Sequence, residues 1–563
     1  MYFDFSDICY DIEERKRLKI MKFSNYISIS LNKITVEKAS YFLNKNVLYI
    51  IFGLLVFVSA FYFLFYYFNG LGLAYNDARS HLDIGRRVVE GLKPGLAQLG
   101  SVWLPLPHIL MVPSIWNDFM WHSGLAGALQ SMIAFVATGL IIYLFLSKIG
   151  VGYLGRIIGV LVFTLNLNIL YLQSTAMTEL LLLATMLAGA YELMLWFRDD
   201  KMLSLIKSAF WIMLSTLIRY DGWFLLFVAG LLIFLKTLKS RGYKTAEGTF
   251  VFFATLGGFG IVLWVLWNQL IFKDALYFIF GPYSARAQQI QLEEAGVLAT
   301  KGDILLSLKI YFYALMYNSY AFNVVLGVIG AVIFWFDRNI KNGIKIASLA
   351  LFAPFVFNIL ALYLGHSVLF IQGLSGNTWF NARYGIMMMP ALAIFTGYLV
   401  HKLVAFRLPL IGIFLFGIFF AFANTDAVTI DDARVGSSQK NVTEVSGWLN
   451  QNAKDEKGFI LISAASHDAI IFSSGLAMKR FIHEGTGAYW ESATVFPDRW
   501  ARWIVMRTHD MNDLTFRLVS QTEAYKSGYY VLVDSYPFAD IYQLKDEHLG
   551  DLNTEPILLN SKL

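Results

Sequence analysis

The chain has 563 residues, 57% hydrophobic and only 15% charged, a balance that excludes an ordinary soluble protein of this length and requires a bilayer as solvent. The net charge of +5 is small and spread between loops, so it guides membrane orientation and gives no support to a nucleic-acid partner. A single cysteine, Cys9, excludes an intramolecular disulfide.

Residues 1–46 are polar and carry the basic cluster Arg15, Lys16, Arg17, Lys19 and Lys22, which does not fit a cleaved signal peptide. Within them, 18–34 has the alternation of a segment lying on the membrane surface. Taking about 20 apolar residues per crossing, spans are expected near 48–69, 124–146, 155–173, 177–197, 203–219, 222–237, 250–272, 305–335, 344–364, 385–401 and 408–424. That predicts an α-helical polytopic membrane protein with about eleven transmembrane helices. Basic residues collect in alternate connections: Lys148 and Arg156; Arg198, Lys201 and Lys207; Lys236, Lys239, Arg241 and Lys244; Arg338, Lys341 and Lys345; Lys402 and Arg407. By the positive-inside rule these share the cytoplasmic side with the N-terminus. The loop after residue 70, the loops 273–304 and 365–384, and the chain after 425 then lie outside.

Composition turns polar at Asn424-Thr425-Asp426, which sets three parts: a cytoplasmic segment 1–46, a transmembrane catalytic domain 47–424, and a soluble extracytoplasmic α/β domain 425–563. In the last, an amphipathic helix (Val442, Val445, Trp448, Leu449) leads to strand-like runs at 459–462, 502–506 and 529–533. Asn441-Val442-Thr443 fits the N-glycosylation pattern. His467-Asp468 and His483-Glu484 match no strong metal-ligand spacing.

Chemistry concentrates in the external stretches. Asn76 or Asp77 is placed to cap a helix over 78–90 in which Arg79, Asp83 and Arg87 stand four residues apart. A carboxylate at a membrane edge loses hydration and needs a partner or a task, so Asp77 is a functional candidate. Arg86, Lys93, Trp103 and His108 fill the same loop with cations and aromatics. Thr178-Glu179 reads as an N-cap with an acid in the first turn, and Arg219-Tyr220-Asp221-Gly222 as a self-paired turn. In Asn381-Ala382-Arg383-Tyr384, Arg383 is either a snorkelling side chain or a phosphate clamp.

These five stretches, in this order, resemble the GT-C superfamily of integral-membrane glycosyltransferases, in particular the branch of protein mannosyltransferases and aminoarabinose transferases that uses polyprenyl-phosphate sugars. The first-loop Asn76-Asp77 stands where protein mannosyltransferases commonly have an Asp-Glu pair. The resemblance implies transfer of a hexosyl or pentosyl group from a polyprenyl-phosphate donor to a hydroxyl of a lipid, glycan or protein acceptor, with inversion, at the extracytoplasmic face of the plasma membrane. Chemically, Asp77 is the candidate general base. Arg383, Lys93, Arg86 and His108 are the candidates to hold the donor phosphate. Glu179 would orient the acceptor or help to hold a divalent cation, with Asn76, Arg79, Trp103, Asp221 and Tyr384 in support. The resemblance fixes no cofactor and leaves room for a divalent cation. The alternatives are an oligosaccharyltransferase-like enzyme, although a Trp-Trp-Asp segment is lacking, and a membrane transporter or lipid flippase, whose broken spans would carry charges near the midplane.

Overall fold

A computed structural model describes residues 46–556 apart from 282–283, 295 and 436–438. The expected surface segment 18–34 and the basic cluster before it lie outside the described residues. The chain divides into two compact units, Met1–Val56 and Phe57–Leu563. The first is represented by the opening turns of the helix Asn46–Phe68, and every contact discussed below lies within the second.

Eight helices among the described residues are long and apolar enough to cross a membrane: Asn46–Phe68, Leu125–Lys148, Glu179–Asp199, Asp221–Arg241, Tyr243–Phe272, Asn342–Tyr363, Ala382–Lys402 and Val404–Arg434. Where a further crossing is expected at 305–335, two apolar helices, Ile304–Ser319 and Ala321–Phe336, meet at 106°, the shape of a broken span or a re-entrant loop. The other two expected spans are shorter than a perpendicular crossing requires. Met202–Thr216 has 15 residues. Tyr153–Thr164 has 12, because Asn166 stops it and caps a second helix, Leu167–Leu172, by accepting hydrogen bonds from the backbone N–H groups of Asn168 and Ile169.

The helix Ala382–Lys402 is buried along nearly its whole length and forms the centre of the bundle. Small residues permit this. The helix Tyr153–Thr164 crosses it so closely that a Cβ on Gly155 would lie 2.5 Å from the carbonyl oxygen of Gly397, an approach that only glycine allows.

The run Val404–Arg434 is interrupted after Ala423, and its last part packs on the membrane part. The helix Val428–Val435 packs against Leu167–Leu172, with Asn168 Oδ1 accepting from both N and Oγ1 of Thr429. Beyond it comes a five-stranded sheet of order β2-β1-β3-β5-β4, where β1 is Phe459–Ile462, β2 Phe481–Ile482, β3 Ala501–Met506, β4 Tyr530–Ser535 and β5 Asp540–Leu544. β1 runs parallel to both neighbours, pairing Leu461 with Ile482 and Ile504, while β5 is antiparallel to β3 and β4. The three expected strands are β1, β3 and β4. β2 has two residues, and β5 reads Asp-Ile-Tyr-Gln-Leu, so neither carries an apolar run. Helices of this region rest on the segment that follows the first span, where Phe472 meets the Trp121 ring edge-on at 5.9 Å and Arg79 Nη1 donates to Ser473 Oγ at 3.0 Å.

Candidate active site

The site is built from helix beginnings. Asp77 stands in the first turn of Asn76–Val89, Glu179 in that of Glu179–Asp199, Asp221 in that of Asp221–Arg241, and Arg383 in the 3₁₀ turn Ala382–Met388 that opens the central span. The N-cap of the first helix is Tyr75, in extended conformation, rather than Asn76 or Asp77, and no side chain caps it. Its phenol is anchored instead, donating to the Thr429 carbonyl at 2.8 Å. Thr178 is the N-cap of the second helix but makes no capping bond.

Arg383 is aimed by a left-handed residue. Asn381 has φ +53 and donates from Nδ2 to the Val368 carbonyl, while Asn318 Nδ2 holds the Ala382 carbonyl at 2.7 Å. Asparagine tolerates this backbone region better than other non-glycine residues. The guanidinium so placed donates from Nη2 to Asp77 Oδ2 at 2.6 Å and from Nε to Glu179 Oε1 at 3.0 Å, with Asp432 Oδ2 3.8 Å from Nη1. Arg219 Nη1 reaches the same Glu179 Oε1 at 3.2 Å and its Nε reaches Asp221 Oδ2 at 3.4 Å. Asn358 Nδ2 donates to the other oxygen of Asp221. Tyr384 is flanked by both arginines, 4.6 Å from Arg219 and 5.4 Å from Arg383.

Carboxylates and guanidiniums thus alternate as Asp77, Arg383, Glu179, Arg219, Asp221. Glu179, Asp221 and Arg383 are buried, but the side chain of Asp77 is 43% exposed. It opens into a cavity of about 360 Å³ lined also by His81, Trp103, Arg219, Asp221, Arg383 and Tyr384, and covered in part by Gln289 and Leu292 of the helix Ala285–Glu294. The N-terminal ends of three spans converge here, which favours an anion.

The remaining expected phosphate ligands lie elsewhere. Arg86 ties the helix Asn76–Val89 to its neighbours, donating to the carbonyls of Ile115 and Trp116, pairing with Glu90 and Asp118, and lying over the Trp121 ring. Lys93 is beside Gly487 of the C-terminal region, and Gln98 bridges its carbonyl to that of Gly485. Arg79, expected only in support, turns to the Leu73 carbonyl and Ser473. His108 is fully buried behind the cavity wall, its Nε2 2.8 Å from His81 Nδ1. Arg219, expected only as part of a self-paired turn, is a site residue, as are His81, Tyr75, Asn358 and Asp432, to which sequence reasoning assigned no role. His81 had a signal, one helical turn after Asp77. Asp432 had none, because it lies beyond the composition change.

Burial pushes the His81 imidazole down to about 3, and Arg383 and Arg219 add to the effect, so the ring is neutral at physiological pH. Among the described residues no group of three or more His, Cys, Asp and Glu side chains is arranged to hold a metal ion. The site acids are matched to arginines. In the C-terminal region His467 pairs with Asp513, and Glu484 accepts from Ser463 Oγ and the N–H groups of Ala464 and Ala465.

The bundle is similar to ArnT from Cupriavidus metallidurans. In its form bound to undecaprenyl phosphate the TM-score is 0.53 at 11% identity, over 86% of this chain and 98% of that one; in its apo state the score is 0.52, over 84% and 94%. The fold is GT-C-like. The Archaeoglobus fulgidus oligosaccharyltransferase in complex with zinc and sulfate is more distant, at a TM-score of 0.45 and 10% identity over 89% of this chain and 74% of that one. No protein-family model matches the chain, and no curated protein matches it in sequence. With its eight long apolar helices, the GT-C-like fold makes this a multi-pass membrane protein.

Proposed function

We propose that the protein transfers a sugar from a polyprenyl-phosphate donor to an acceptor hydroxyl on the extracytoplasmic side of the plasma membrane. The observation that carries this reading is a half-exposed carboxylate, Asp77, opening into a cavity beside two arginines that a buried glutamate ties together. The fold it shares with ArnT, whose structure holds undecaprenyl phosphate, supports the choice of donor.

The chemistry follows from the charges. Asp77 takes the proton of the acceptor hydroxyl as its oxygen attacks the anomeric carbon, and the bond from that carbon to the phosphate oxygen breaks. The electron pair goes to the phosphate, which gains a second negative charge and needs no acid. Arg383 and Arg219 are the cations placed to receive it. Attack opposite the leaving phosphate inverts the anomeric centre. Glu179 fixes both guanidiniums, and Asp221 and Tyr384 hold Arg219 in place. Arg86 and His108 drop out of phosphate binding because each is committed elsewhere, and Lys93 because it stands beside Gly487, outside the cavity lining.

The test is Asp77→Asn in proteoliposomes supplied with radiolabelled donor lipid. Transfer is expected to fall by about 10²–10⁴-fold, the range for loss of a general base, with undecaprenyl phosphate binding and the melting temperature retained. Near wild-type turnover would remove Asp77 from the mechanism.

A further inference from the structure

His81 has a feature that the proposed chemistry does not use. Its Nδ1 is engaged by His108 Nε2 at 2.8 Å, yet the ring lines the cavity, so Nε2 is the nitrogen left to face it. Which way that bond runs is decided at its far end. His108 Nδ1 is buried with no well-formed hydrogen bond, and the backbone of Leu104, four residues earlier, is the group beside the ring that favours a proton on it, as a carbonyl does. A bare lone pair there would oppose another, so the proton sits on His108 Nδ1. His108 Nε2 is then an acceptor and His81 Nδ1 the donor, which leaves a lone pair on His81 Nε2. Facing the positive field of Arg383 and Arg219, that nitrogen is kept unprotonated.

The surroundings identify what it accepts from. The Trp103 ring stacks beside His81 with centroids 4.3 Å apart and also lines the cavity. An acceptor next to an aromatic surface suits a saccharide, which offers hydroxyl donors on its rim and C–H groups on its faces. Asp77 and His81 are four residues apart on one helix and face the same cavity, so their side chains stand about 5–6 Å apart, a spacing that one ring spans. We propose that His81 is a positioning residue for the donor: its Nε2 accepts a hydrogen bond from a ring hydroxyl of the sugar while Trp103 packs against the ring. This rests on the glycosyl-transfer reading above, and it adds that the site reads the sugar itself and not only the lipid phosphate.

Binding to the full-length protein in nanodiscs tests it, with undecaprenyl phosphate and the same lipid carrying mannose, glucose or arabinose as probes. Wild type is expected to bind at least one sugar-bearing lipid more tightly than bare undecaprenyl phosphate. His81→Phe, which keeps a ring against Trp103 but has no acceptor, should abolish that preference with a loss of about tenfold, the size of one hydrogen bond to a neutral group. Its affinity for bare undecaprenyl phosphate should be unchanged, which also certifies the fold. His81→Gln, which returns an acceptor to a similar position, should restore most of the preference. If His81→Phe binds the preferred sugar-lipid as wild type does, or if His81→Gln fails to recover while still binding undecaprenyl phosphate, the inference is overturned and the catalytic reading survives. If wild type binds the bare lipid and prefers none of the sugars, the donor reading falls and takes this inference with it.

Discussion

Arg383 holds carboxylates supplied by three separate parts of the chain, Asp77, Glu179 and Asp432, and no local pattern around Asn381-Ala382-Arg383-Tyr384 could have named its partners. The motif was legible as a phosphate clamp or a snorkelling side chain. Burial of the guanidinium decides against the snorkel. Arg383→Ala strips a fully buried glutamate of one of its two cations, a change that costs about 3–5 kcal/mol where a buried pair is broken. A lowered melting temperature in detergent together with weakened undecaprenyl phosphate binding is expected; unchanged donor dependence in the reconstituted assay would mean the guanidinium does not touch the lipid. A second residue-scale prediction concerns Asp513. Burial works to raise its carboxyl, but His467 and the N–H groups of Arg507 and Phe516 outweigh it and hold the group below the usual carboxylate range. A depressed folded value contributes stability that is present above the unfolded value near 4 and lost as pH falls through the folded one. Asp513→Asn should therefore be less stable than wild type at pH 7, with the gap closing below about pH 4; hydrogen exchange in the helix Ala464–Ser473 reads it, and an equal gap at both pH values would show that the charge is not what matters.

At the scale of elements, most spans were legible because an apolar run of about 20 residues has few other destinies. What was not legible is where a run breaks. The stretch 305–335 is continuous in composition, yet it bends by 106° where Tyr320 takes φ +64. The freed Asn318 carbonyl is met by Nδ2 of Asn166 and of Asn168, and the Tyr320 hydroxyl joins the Leu167 N–H to the Asp426 carbonyl. Backbone groups exposed by a break inside a membrane protein must be paired internally, and the partners come from sequence far away. The break also serves the site, since Asn318 Nδ2 fixes the turn that carries Arg383. Asn318→Ala is expected to cost about 0.5–1.5 kcal/mol by removing the side-chain hydrogen bond to the Ala382 carbonyl, and to lower transfer by more than that loss of folded protein explains. In the same turn a Cβ on Gly385 would lie 2.2 Å from the Ala314 carbonyl oxygen. Gly385→Ala must push two backbones apart, so we expect little folded protein by size-exclusion chromatography; a monodisperse, active variant would show the contact to be looser than described.

The whole molecule is polarised. Asp77, Glu179, Asp221 and Arg383 all sit at helix beginnings, so they share one face of the bundle. The basic connections gather at the opposite ends of the same helices, where Arg198 donates to the Lys148 carbonyl and Lys236 and Arg241 both pair with Asp200. This sidedness was legible in the sequence because charge in short loops is read locally; the convergence of the four first turns was not, since it depends on how the helices pack. The orientation of the whole decides which compartment the cavity faces. Placing the basic ends in the cytoplasm puts the cavity, the five-stranded sheet and the helix Ala285–Glu294 outside. In a Cys9→Ser background, Lys454→Cys lies in an exposed turn before β1 and Lys239→Cys on the exposed end of Asp221–Arg241. A membrane-impermeant maleimide applied to intact cells should label the first and spare the second, and permeabilised cells should lose the distinction. Labelling of Lys239→Cys alone from outside would turn the protein over, moving the acceptor hydroxyl and the sugar-bearing lipid to the cytoplasmic leaflet.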